Sequence, residues 1–102
     1  MHSTKDPYLE LLRAFADWAD EQVDVVRDDA AVRDLDGVAE GARVLAVTAE
    51  RLEMGPLAER ARALQLRATS QRAFELDGAC SMLQDELTHL RVLLDHLGSA
   101  AA

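Results

Sequence analysis

The residue types able to do chemistry are few in this chain and poorly placed for it. Three histidines are present, His2, His89 and His96. His89 and His96 stand seven residues apart in a helical stretch, about 10 Å along its axis, too far to share one metal ion. Each comes one residue before a core-spaced leucine, so both lean towards solvent. The single cysteine, Cys80, cannot form an intramolecular disulfide or a thiolate metal cluster. It falls in an apolar series and reads as a small buried hydrophobe, with a reactive thiol the alternative. No Glu-x-x-His pair, glycine-rich phosphate loop or nucleophile elbow occurs. The expectation is no catalytic group, no metal and no cofactor.

The elements that carry these residues are helical. Apolar residues make up 49% of the 102, and only two prolines and five glycines interrupt them. Asp6 and Pro7 form a start signal. Leu9, Leu12, Ala16, Ala19, Val23, Val26 and Ala30 then recur in steps of three and four. Tyr8, Leu11, Phe15 and Trp18 widen the apolar face in the first half only, which predicts a break near Asp17–Asp20 and two helices. Asp34 caps the next segment, whose row is Leu35, Val38, Ala42, Leu45, Ala49 and Leu52. Gly55 and Pro56 end it and open a shorter one with Leu57, Ala61, Leu64 and Ala68. Thr69 or Ser70 is expected to cap the last helix, with Ala73, Leu76, Cys80, Leu83, Leu87, Leu90, Leu94 and Leu97 inside it. Gly78 would weaken it or allow close packing, and Gly98 would stop it.

The expected architecture is all-α: an antiparallel up-down four-helix bundle with an additional N-terminal helix. Residues 6–98 form the single domain, between a flexible N-terminus (1–5) and a flexible tail (99–102). No apolar run is long enough to span a membrane and no signal peptide is evident, so a cytoplasmic location is expected.

Net charge is −8, which excludes a nucleic-acid partner. The charge is uneven. Residues 1–36 hold ten acids and four bases, residues 37–74 four acids and six bases, and residues 75–102 five acids and one base. The bases of the middle segment are all arginine.

That basic segment contains the oddest face. Opposite the core row of residues 35–54 lie Glu40, Arg43, Val44, Val47, Arg51 and Met54. Valine on an exposed helix loses both propensity and burial, and an apolar patch rimmed by charge is typical of a protein-binding surface. Cover from a neighbouring helix is the alternative. The partner would be a protein or, in a homodimer, a second copy.

The layout resembles histidine-containing phosphotransfer (HPt) domains, the four-helix bundles that relay phosphate in bacterial two-component systems. Leu11-Leu12-Arg-Ala-Phe15 is similar to the family's opening helix. Asp34-Leu35-Asp36-Gly37-Val38 is similar to the approach to its phosphorylated helix. Ala42-Arg-Val-Leu45-Ala-Val-Thr-Ala49-Glu-Arg-Leu52 falls where the family writes Ala-His-x-Leu-Lys-Gly-x-Ala-x-x-Leu. Leu57 to Gln65 and Glu86 to Leu97 are similar to the last two helices. In this register Arg43 replaces the phosphorylated histidine, Ala46 the lysine that helps hold the phosphoryl group, and Val47 the glycine that admits the partner. An arginine stays protonated and cannot accept phosphate. The resemblance therefore implies a degenerate member without phosphotransfer, binding a receiver domain or a histidine kinase as adaptor or inhibitor. A self-associating structural or regulatory bundle is the alternative.

Overall fold

The computed structural model describes residues 7–70 and 75–101. Among them are four helices and no strand: α1 (Pro7–Ala31), α2 (Leu35–Arg51), α3 (Gly55–Thr69) and α4 (Leu76–Ala101). The particle is a rod of 53 × 20 × 18 Å. Each helix packs on two others, in the cycle α1–α2–α3–α4–α1.

The break expected near Asp17–Asp20 is absent. Residues expected to form an additional N-terminal helix are the first half of a continuous, 25-residue α1. Phe15, Ala16, Ala19, Val23, Val26 and Ala30 keep one buried stripe through that region, so nothing forces the helix to turn. The wider front stripe is covered only in part. Phe15 is buried and Trp18 is half-buried, their ring centroids 5.8 Å apart, while Tyr8 and Leu11 are exposed. Asp6, the expected cap, lies outside the described residues, as does Ala73.

Both short connectors end a helix the same way, and neither uses glycine. Arg33 and Glu53 take left-handed backbone conformations, with φ of 62° and 59°. After α1, the Arg33 amide donates to the Ala30 carbonyl and the Asp34 amide to that of Asp29. After α2, Glu53 donates to Glu50 and Met54 to Ala49. These are Schellman closures, which satisfy the last carbonyls of each helix. Glu53 therefore holds the position expected of Gly55, and Gly55 opens α3. Asp34 caps α2 as expected, its carboxylate accepting from the Gly37 amide at 3.0 Å. Thr69 and Ser70 do not cap α4. Thr69 belongs to α3, where its hydroxyl donates to the Gln65 carbonyl, and Ser70 closes that helix. Gly98 does not stop α4, which continues to Ala101.

The core is built from small residues facing leucines. Ala42, Ala46 and Ala49 of α2 and Ala58, Ala61 and Ala68 of α3 are buried beside Leu45, Leu57 and Leu64. From α4 come Leu76, Leu83, Leu87 and Leu94. No polar or charged side chain is buried among the described residues.

α1 and α2 approach closely at Gly41. A β-carbon there would lie 2.6 Å from Cγ2 of Val26, a branched side chain with little rotameric freedom in a helix. Gly78 has the opposite setting. It is exposed, with nothing within 4 Å of a built β-carbon, so it serves neither close packing nor a bend. Gly41→Ala should lower stability by about 1–2 kcal/mol, overpacking outweighing the better helix propensity. Gly78→Ala should raise it by about 0.5–1 kcal/mol. Thermal melts followed by circular dichroism will read both; shifts of the same sign would contradict a close contact at Gly41.

Candidate functional site

Of the six residues expected on the outer face of α2, Glu40, Arg43 and Arg51 are exposed, while Val44, Val47 and Met54 are half-buried. Glu40 and Arg43 are exposed one turn apart and form a two-pronged ion pair, with N–O distances of 3.0 and 2.7 Å. Hydrogen bonds from Arg43, with its charge, hold the Glu40 carboxyl below the ordinary range. Val44 and Val47, one and four residues after Arg43, are both half-buried. Arg51 is exposed at the end of the helix. Met54 departs from the stripe: it sits in the connector at the start of α3, packed against the core.

Ala46 lies on the inner side. It is 0% exposed, so in the resemblance register the position of the phosphoryl-holding lysine is inside the core. A lysine there would have no outlet to water. The exposed part of the α2 face thus centres on Arg43, with half-buried Val44 and Val47 beside it.

This face is tied to α3 by a second ion pair. Arg62 grips Glu50 with both prongs, at 2.7 and 2.6 Å, and both side chains remain about half exposed. Hydrogen bonds from Arg62 lower the Glu50 carboxyl from 4.5. A third network joins α1 to α4, where Arg91 donates to Asp17 at 2.7 Å and to Asp20. Further along, the Arg13 guanidinium reaches the Leu94 carbonyl at 3.4 Å.

The histidines lie where the sequence puts them. His89 and His96 are both exposed on α4. Cys80 is buried, and its thiol is pushed up, chiefly by burial, against a lowering by the Arg27 charge and with a smaller push from Asp77. The sulfur stays protonated at neutral pH, which suits a packing role. Among the described residues no three His, Cys, Asp or Glu side chains are grouped to hold a metal ion.

A second surface was not singled out by the sequence. An apolar groove of about 390 Å³ opens between α4 and the start of α3. Leu12 and Leu57 contribute to its lining, with Leu90, Leu93 and Leu97 along α4. The signal for it lies in the leucine spacing. Leu76, Leu83, Leu90 and Leu97 repeat every seven residues, and on a straight helix such a row drifts by about 20° per repeat. Exposure rises along that row towards the end of α4: Leu76 and Leu83 are buried, Leu90 is half-buried and Leu97 is 44% exposed.

No protein-family model, curated protein or solved structure matches the chain.

The Glu50–Arg62 pair predicts a modest pH effect. Because the folded pKa lies below the ordinary value, the pair's contribution is complete above about pH 4.5 and is lost as pH falls through the folded value. Solvent screening keeps it small. Glu50→Gln should barely change the melting temperature at pH 7 relative to Arg62→Gln, and should flatten the decline below pH 4.5. An unchanged acid limb in melts across that range would contradict the pairing.

Proposed function

We propose that this chain is a non-catalytic, HPt-like interaction module of bacterial two-component signalling. It docks on a receiver domain or a histidine kinase, in the cytoplasm, as an adaptor or inhibitor. The four helices are read as an antiparallel up-down bundle, which three-residue connectors at 32–34 and 52–54 favour.

The observation that carries the reading is the exposed Arg43 at the middle of α2, oriented by Glu40 and bordered by Val44 and Val47. On releasing Glu40, which now neutralises it, this exposed guanidinium is suited to a carboxylate cluster such as a receiver's acidic pocket. The half-buried valines offer apolar contact around it. Arg43 has no means of accepting a phosphoryl group, so binding would occlude the pocket without discharging it.

The test is titration of the full chain against receiver and kinase domains encoded in its own genome. At least one should bind, and Arg43→Ala and Val47→Asp should each weaken that complex by about tenfold or more, equivalent to about 1.4 kcal/mol. Absence of binding to every domain, or affinities unchanged by both substitutions, would overturn the assignment.

A further inference from the structure

We propose that the groove between α4 and the start of α3 docks an amphipathic helix from another protein, one with an apolar seam and a basic flank. This surface is separate from the α2 face around Arg43.

The outer end of the leucine row gives the groove its shape. Leu90, Leu93 and Leu97 are spaced three and four apart, the seam spacing of helices that pack side by side. They border a 390 Å³ groove that also receives Leu12 and Leu57. Leu93 is 50% and Leu97 44% exposed. Met82, also 44% exposed, stands four residues before Glu86 on the same side of α4. From Met82 to Leu97 the row runs about 22 Å, matching four turns of a partner helix. A seam of this kind, continued past the protein's own core, fits helix-in-groove recognition.

Charge at the groove selects the partner. Glu86 lies in the groove lining, and Asp85 beside it is exposed. The one base in residues 75–102 is Arg91, and its guanidinium is held by Asp17 and Asp20 of α1. Glu86 is therefore the one carboxylate in the groove lining, beside His89, and no arginine of α4 is free to neutralise it, which favours a lysine or arginine on the incoming helix. A second copy is disfavoured, since each chain carries a net charge of −8.

The full chain is titrated with three synthetic peptides of about 18 residues, long enough for the row. The first has leucines spaced three and four apart with lysine flanks. The second keeps the leucines and replaces lysine by glutamate. The third scrambles the first. The first should bind and the others should bind at least about tenfold more weakly. Leu93→Ser with Leu97→Ser should reduce binding of the first peptide about tenfold, and so should Glu86→Lys alone, whereas Val25→Ser, an exposed valine of α1, should not. The two leucines are half exposed, so a melting curve near that of the unaltered protein is expected. Should the double variant unfold, Glu86→Lys provides the decision. Equal binding of the scrambled or glutamate peptide, no binding, or no response to Glu86→Lys would overturn the proposal. So would a homodimer in sedimentation equilibrium that the two serines split, because a second copy would then occupy the groove.

Discussion

The packing of the α4 leucines against alanine-lined neighbours sets the spacing on which the rest of the molecule depends. Alanines on α2 and α3 let helix backbones come close, and Leu76, Leu83, Leu87 and Leu94 fill the space that remains. Gly41 marks one close approach, against Val26. Because the described core contains no buried charged or hydrogen-bonding side chain apart from the Cys80 thiol, the described ionic and hydrogen-bonding side chains lie at the surface. Ion pairs there act between elements: Glu50 with Arg62 across α2 and α3, and Arg91 with Asp17 and Asp20 across α4 and α1. Exposed pairs of this kind add little stability and do more to fix which side chains remain available.

That constraint shapes both surfaces. On α2 it turns Ala46 wholly inward and leaves Arg43 outward, so the helix presents one oriented Glu40–Arg43 ion pair beside a narrow apolar strip. On α4 the same core accepts one row of a seven-residue repeat and lets the other drift out, which leaves Leu93 and Leu97 half exposed beside the groove. The proposed adaptor role and the proposed helix-docking groove follow from these two outcomes. An adaptor with two separate faces can hold two partners at once, which a phosphorelay carrier with one active face does not require.

Much of the fold was legible in the sequence. Three-and-four spacing placed the buried rows of all four helices, and Asp34 and Pro56 marked two helix starts. Two helix ends were hidden because the left-handed positions carry Arg33 and Glu53, where glycine is the usual sign. The supposed break in α1 came from a wide apolar face that the structure leaves partly uncovered at Tyr8 and Leu11. The α2 face was legible as a stripe, but its width was not, because the burial of Ala46 and the inward position of Met54 depend on how α3 packs beside it. The α4 groove was present in the leucine spacing; reading it required the difference between a 3.5 and a 3.6 residue period, which accumulates only over several turns.

The central claim is that the α2 helix offers contact and no phosphoryl acceptor, and that the exposed histidines of α4 do not replace one. Incubation of the full chain with phosphorylated receiver domains, followed by phosphorus NMR and acid treatment, tests this most directly. The account predicts that no acid-labile phosphate forms on the protein. A phosphohistidine signal that disappears in His89→Ala or His96→Ala would contradict it.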